Sequence, residues 1–290
     1  MTDLPTADRP TPTRPPAEAP PEGACDAHVH ILGGDFAPSP ARVENPAPVG
    51  DLDAWLDLLR AHLDALGIPR VVVVHSILYG GDNAVTLEAV RRLGNRARAV
   101  ALMAADAADA ALDALAAANV KAIRLNYVHG GLLDWAGAKA LAPRLADRGM
   151  HLQMLLHADR HMEEIAGDAR ALPCPLVIDH CGWPADMATG PEAPGFRALC
   201  GALAEGHVYA KLSAPYRLLD EEEGADAHAC ALVAANPERC LWGSDWPHIM
   251  LGGARRPEAG ALLDAFHRQV PDPAHRRAIL ADNPERLYGF

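Results

Sequence analysis

Two stretches of the chain hold residues whose types and spacing could do chemistry. Near the start it reads Cys25-Asp26-Ala27-His28-Val29-His30, and far downstream Trp242-Gly243-Ser244-Asp245-Trp246-Pro247-His248. Apolar and polar residues alternate in the first, which is the period of a β-strand. That period predicts Asp26, His28 and His30 on one face, with the two imidazoles in neighbouring inward positions. The second stretch is expected to be a strand that ends at a carboxylate. A histidine pair at one strand end and Asp245 at another could converge on a metal ion or a hydrolytic water.

The elements that must position these groups can be read from the alternation of short apolar runs with helical patterns. Strands are expected at 24–31, 70–75, 98–103, 120–125, 151–156, 175–180, 208–212 and 240–243. Between them, Leu52, Trp55, Leu56, Leu59, Leu63 and Leu66 recur at helical spacing, with Gly67 as a stop. Further helices are expected from Asp82 or Asn83 to Leu93, over the Ala-rich 106–118, and from Asp134 to Gly149. Three more fall at 195–205, 224–235 and 258–269; the unit between the fifth and sixth strands is the least defined. Eight strand–helix units in about 265 residues predict a single-domain α/β chain, a (β/α)8 TIM barrel. A doubly wound open sheet would use fewer strands and a Gly-rich turn after the first, where this chain has His28 and His30.

Barrel enzymes carry their chemistry at the C-terminal ends of strands. Those ends offer His28 and His30, then His75 and Ser76, Arg124 and Asn126, and Gln153, Leu155 or His157. They continue with His180, with Lys211 and Ser213, and with Asp245. Polar groups at the ends of apolar strands are costly to bury unless satisfied or used. As a set they suit hydrolysis. Asp245 could serve as the base for water, while His28, His30 and His180 donate to a carbonyl oxygen or a carboxylate. Arg124 and Arg217 could grip carboxylates through paired N–H donors, with Ser76, Asn126 and His75 as further substrate contacts. His129, His157 and His248 are expected at the rim, and His62, His207, His267 and His275 on the surface.

The bulk properties bound the partners. With a net charge of -12, nucleic acid is not expected as a partner, because phosphate binding needs a basic surface. A small anionic substrate remains compatible, since it responds to local arginines. The six cysteines form no C-x-x-C pair, which fits a reducing cytoplasm. No apolar run reaches 18 residues, so no membrane span is expected. Residues 1–23 are rich in Pro and polar residues and are read as a disordered tail, leaving 24–290 as the barrel. A homo-oligomer is compatible with the sequence.

His-x-His on the first strand, Ile178-Asp179-His180-Cys181-Gly182, Trp242-Gly243-Ser244-Asp245-Trp246-Pro247-His248 and the ending Asn283-Pro284-Glu285-Arg286-Leu287-Tyr288-Gly289-Phe290 together resemble the amidohydrolase superfamily, and within it the amidohydrolase-2 branch. The segments Tyr79-Gly80-Gly81-Asp82-Asn83, Ile123-Arg124-Leu125-Asn126 and Lys211-Leu212-Ser213-Ala214-Pro215-Tyr216-Arg217 are most similar to its 2-pyrone-4,6-dicarboxylate lactonase group. The resemblance covers about 24–290. It implies a lactonase acting on a 2-pyrone-4,6-dicarboxylate-like lactone, a muconolactone or a sugar lactone. The alternative on the same fold is a metal-dependent decarboxylase of an aromatic or muconate-type acid. The resemblance implies either no cofactor or one zinc held by His28, His30 and Asp245. A binuclear centre is not expected, because the fourth strand ends in Arg124 and the fifth offers Leu155 and Leu156. The chain departs from the lactonase pattern at Tyr127-Val128-His129-Gly130-Gly131, where a further Arg is usual, and at Leu156, where a Tyr is common. The missing Arg favours a substrate with fewer negative charges than a pyrone dicarboxylate, or a different lactone such as a muconolactone or a sugar lactone.

Overall fold

The computed structural model describes residues 4–217, 222–252 and 254–290, and for 222–225 the backbone course only. Residues 1–3 of the expected tail lie outside the described residues. Eight strands form one parallel sheet in sequential order: β1 (Cys25–Val29), β2 (Arg70–Val74), β3 (Ala97–Ala101), β4 (Val120–Asn126), β5 (His151–Leu155), β6 (Leu176–Ile178), β7 (Val208–Ser213) and β8 (Cys240–Gly243). Eight helices alternate with them: α1 (Leu52–Leu66), α2 (Ala84–Leu93), α3 (Asp109–Ala117), α4 (Trp135–Ala146), α5 (Ala158–Ala169), α6 (Pro194–Ala204), α7 (Glu222–Ala235) and α8 (Ala259–Gln269). The expected TIM barrel is the observed fold. The weakly patterned unit between β5 and β6 is a full helix, α5.

The seam between β8 and β1 lies just beneath the candidate site. The His30 amide donates to the Trp246 carbonyl at 2.7 Å, and the Asp245 amide to the His28 carbonyl at 2.9 Å. Gly243 makes this approach feasible: a Cβ there would fall 2.7 Å from the His28 Cβ and 2.8 Å from its amide nitrogen. The two residues at the centre of the site are thus tied to each other's strands through backbone.

Alternation along the strands divides the core in two. Outward residues such as Val71, Val73, Ile123, Met154 and Ile178 pack under the helices, while Ala27, Val72, Val74, Val100, Ala122, Val177 and Leu241 fill the barrel. Tyr288 plugs the lower end, with its ring centroid 5.3 Å from that of His151. Helix α1 starts where the Asp51 carboxylate accepts the Ala54 amide at 3.0 Å and stops at Gly67, at φ 71°. Such a cap contributes about 1 kcal/mol.

His62 is not on the surface. It follows Leu59 by three positions, so it falls on the apolar stripe of α1 and is 2% exposed. Its Nε2 sits 3.5 Å from Asp26, and its Nδ1 is 2.8 Å from the Thr13 hydroxyl. His267, also expected outside, is buried as well. Thr13 belongs to the Pro-rich segment before the barrel, which runs along its outside with defined contacts. Arg14 pairs with Glu258 at 3.0 Å and Asp264 at 2.7 Å, and the Asn45 amide donates to the Pro5 carbonyl at 2.7 Å. Among the described residues no helix is long and apolar enough to cross a membrane.

Candidate active site

Strand alternation decides which predicted groups reach the barrel interior, and at two places the backbone alters the expected result. In β1, the step from Asp26 to Val29 is matched by only Val71 to Val73 on β2, so β1 carries one extra residue. This bulge separates the predicted triad. Asp26 faces outward, where its carboxylate accepts the Ser244 amide at 2.9 Å, the Ser244 hydroxyl at 2.5 Å and the His28 amide at 3.2 Å. His28 and His30 face inward. The bulge frees the His28 amide from the ladder, and the Asp26 carboxylate satisfies it.

On β6 the inward residue is Asp179. His180 follows it and reaches the cavity because the chain turns there, at φ 53°. On β2, Val72 and Val74 point in, so Ser76 joins the cavity and His75 does not. His75 is corrected from a substrate contact to a buried strut: its Nδ1 pairs with Thr86 at 2.9 Å and its Nε2 with the Gly80 carbonyl at 3.0 Å. Similarly, Leu155 lines the cavity while Leu156 packs outward in the core.

Beneath the cavity lies a fully buried polar layer. The Arg124 Nε donates to Asp179 at 3.0 Å, and Gln153 donates to the same carboxylate at 2.9 Å. Lys211 donates to Oε1 of the Gln153 side chain at 2.8 Å and lies 3.6 Å from Asp179 and 3.5 Å from Nδ1 of His28. Burial would raise the Asp179 carboxyl, but Arg124, His28 and Lys211 outweigh it and hold it well below the usual range. Burial pulls the Lys211 ammonium down to about 8 against the attraction of Asp179. Burial and Lys211 together push His28 far below its ordinary value, so its ring is neutral at pH 7. Asp179 and Gln153 received no role from sequence alone, although the period of their strands would have placed both inward.

Asp245 stands above this layer at φ 60°, a conformation that non-glycine residues rarely adopt. Its Oδ2 accepts from the Tyr216 hydroxyl at 2.6 Å and from Arg217 Nε and Nη2 at 3.0 and 2.9 Å. Burial would raise its carboxyl, yet Arg217 and His180 keep it well below the usual carboxylate range. Its Oδ1 has no hydrogen-bond partner, and neither has Nε2 of His28, 3.7 Å away. His30 turns its Nδ1 to the Val74 carbonyl at 2.8 Å. A carbonyl only accepts, so Nδ1 carries a proton, and Nε2 faces Oδ1 of Asp245, 3.4 Å away. Nδ1 of His180 pairs with the Ser213 hydroxyl at 2.9 Å, and burial brings this ring down to about 4.

The unpartnered Oδ1 of Asp245 leaves a place for a hydrogen-bond donor or a cation. His28, His30 and Asp245 each offer one ligand atom, all within 4.8 Å of one another. This donor set, with its unpartnered buried atoms, fits one divalent ion such as zinc with room for water. Among the described residues it is the only such group found.

These groups open into a cavity of about 300 Å³. Its polar lining is His30, Ser76, Arg124, Asn126, His129, His180, Arg217 and Asp245; its apolar lining is Val43, Ile77, Leu155, Trp183, Ile249 and Met250. Most of the expected site residues therefore line one cavity; His28 lies against Asp245 without lining it, and His75 is outside it. Arg217 requires a correction of role. Besides Asp245, its Nη1 and Nη2 hold the Met250 and Ile249 carbonyls at 3.1 and 2.8 Å, so it braces the carboxylate instead of awaiting substrate. His157 is bonded to the Trp183 carbonyl at 2.7 Å and His248 lies 3.3 Å from the Tyr216 hydroxyl, both beside the cavity. Tyr216 had been noticed only as part of a motif.

A family model described as Amidohydrolase matches residues 25–290. The 2-pyrone-4,6-dicarboxylate hydrolase of Comamonas testosteroni is 34% identical, over 92% of this chain and 90% of its own. The 4-sulfomuconolactone hydrolase of Rhizobium radiobacter is 32% identical, over 93% and 91%. Among solved structures, a probable 2-pyrone-4,6-dicarboxylic acid hydrolase from Acinetobacter baumannii with citric acid bound superposes with a TM-score of 0.81 at 21% identity. It covers 92% of this chain and 100% of its own.

Proposed function

The chain belongs to the amidohydrolase family, and on that premise we propose that it opens the ring of a small carboxylated lactone by attack of water, with Asp245 as general base. The observation that carries this reading is Oδ1 of Asp245, a buried carboxylate oxygen with no hydrogen-bond partner in a residue that lines a substrate-sized cavity. An acceptor left without a donor there suits a water that gives it a proton. The lactone-acting relatives support the same chemistry.

In this mechanism water adds to the lactone carbonyl carbon and gives one proton to Oδ1 of Asp245. A carboxylate held so far below its usual range is a weak base. Transfer therefore becomes favourable only as the new C–O bond forms and acidifies the water. His180, neutral and lining the cavity, stands where a ring N–H can donate to the oxygen that gains charge, while His28 backs Asp245 from outside the lining. The tetrahedral intermediate collapses with cleavage of the ring C–O bond. Asp245 then returns its proton to the leaving oxygen, and a carboxyl group and a hydroxyl result from one water. Arg124 orients the substrate's own carboxylate through its Nη groups. Tyr216 and Arg217 keep Oδ2 occupied, so that Oδ1 is the oxygen that works.

If a divalent ion is bound, His28, His30 and Asp245 would hold it, and it would supply Lewis acidity at the carbonyl or the water. The same three ligands favour, as a second reading, a metal-dependent decarboxylase. Incubation of purified protein with a lactone panel, followed by ring absorbance and by carbon dioxide release, separates the two. Ring opening without gas supports the lactonase; gas with an intact ring overturns it. A cytoplasmic setting, with six free thiols, suits this reading.

A further inference from the structure

We infer that the substrate carries a single carboxylate on an otherwise apolar ring, and that a dianionic lactone is disfavoured; this rests on the lactone-opening reading above. Two guanidinium groups line the cavity, but they are not equivalent. Arg217 holds Asp245 through Nε and Nη2 and two backbone carbonyls through Nη1 and Nη2. Arg124 gives only its Nε to Asp179, and among the described residues neither of its Nη groups has an acceptor. The residues outside the description, 1–3, 218–221 and 253, include no Arg, Lys or His. One fork of paired donors is therefore open to a carboxylate.

The fixed charges agree with this count. In the floor, Arg124 and Lys211 face the single carboxylate of Asp179. At the mouth, Arg217 and Asp245 cancel. The imidazoles aside, two cations against one anion below and one against one above leave one positive charge. One substrate carboxylate balances it, and a second would enter without a counter-charge.

The wall next to Arg124 also refuses a second anion. Leu155 pairs in register with Asn126 across β4 and β5, and it gives the cavity an apolar face beside the strand of Arg124. Val43, Ile77, Ile249 and Met250 complete an apolar surround. A carboxylate pressed against these side chains loses water and gains no donor. The further polar groups of the lining, among them Ser76, Asn126 and His129, include no fixed cation besides the two arginines, and the His129 amide is tied to Asn126.

The test is a series on one ring. Values of kcat/KM are measured for unsubstituted 2-pyrone, 2-pyrone-6-carboxylate and 2-pyrone-4,6-dicarboxylate. The monocarboxylate is expected to exceed each of the others by about tenfold or more, as befits a site with one donor fork. A dicarboxylate used equally well or better would overturn the charge inference while leaving lactone opening intact. If no pyrone is opened, the reaction assignment fails, and the charge inference is decided by calorimetry with unreactive rings. Benzoate binding more tightly than isophthalate upholds it, and the reverse order overturns it.

Discussion

Tyr216 donates its hydroxyl to the same oxygen of Asp245 that Arg217 grips twice, so three donors converge on Oδ2 and none reaches Oδ1. One end of a single carboxylate is structural and the other chemical. This asymmetry ranks the substitutions around it.

Asp245→Asn keeps an oxygen for Tyr216 and Arg217 but cannot take a proton. Turnover should fall by about two or more orders of magnitude while circular dichroism stays that of the wild type. Near wild-type kcat in a folded variant would remove Asp245 from the role of base.

Tyr216→Phe deletes one of the three donors and leaves the two from Arg217. The carboxylate becomes freer to turn, and kcat should drop about tenfold, the worth of one hydrogen bond to a charged group. KM should stay within about twofold, because the phenol faces Asp245 and not the apolar wall. A rise in KM at constant kcat would place Tyr216 on the substrate instead.

Asp26 lies outside the barrel, yet it holds the amides of both His28 and Ser244, the neighbours on which the site is mounted. Asp26→Ala should cost about 2–4 kcal/mol of stability by urea unfolding, as loss of a buried multiply bonded carboxylate does. It should also lower kcat. Asp26→Asn, which retains an acceptor, should recover part of both. Full activity in the alanine variant would mean that the β1 bulge stands without it.

His75 and His151 are neutral in the fold: burial brings His75 to about 4, and burial with the Lys211 charge brings His151 to about 3. Above pH 6.5 neither state of the chain is protonated there and the two rings contribute no slope. As pH falls below 6.5 the unfolded chain takes up protons that the folded one refuses, so stability is lost toward pH 4. Each ring adds a slope of about 1.4 kcal/mol per pH unit once its unfolded form is charged. Urea midpoints from pH 7 to 4.5 should show this decline, and His75→Gln should flatten it by about one proton. An unchanged slope would mean that His75 titrates alike in both states.

Zinc titrated into chelator-treated protein should saturate at one equivalent, with His30→Gln and Asp245→Asn each weakening the isotherm. Two equivalents would require ligands beyond the set formed by His28, His30 and Asp245.

The barrel and most of its strand ends were legible because period 2 and period 3.6 leave different marks, and because every strand end but the third, at Met103, carried a polar group. Arg124, Asn126, Lys211 and Ser213 face inward as the alternation of β4 and β7 requires. What escaped were departures from regular backbone. One inserted residue in β1 turned Asp26 outward, and a left-handed residue after β6 brought His180 in beside Asp179. His75 was readable in principle: Val72 and Val74 already fill the interior, which assigns the even positions of β2 to the cavity. The engagement of Arg217 was not readable, since its acceptors at Ile249 and Met250 are backbone atoms that no residue type announces.

Gly243 bears on how such a barrel can diversify. A side chain at 243 would collide with His28 and open the seam that carries Asp245 on one side and His30 on the other. Selection therefore cannot adjust these three independently. Base and imidazoles are inherited as one piece, fixed by a position with no side chain to vary. Leu155 and His129 line the cavity away from this seam, so a substitution at either alters the wall without touching the backbone that carries Asp245 and His30.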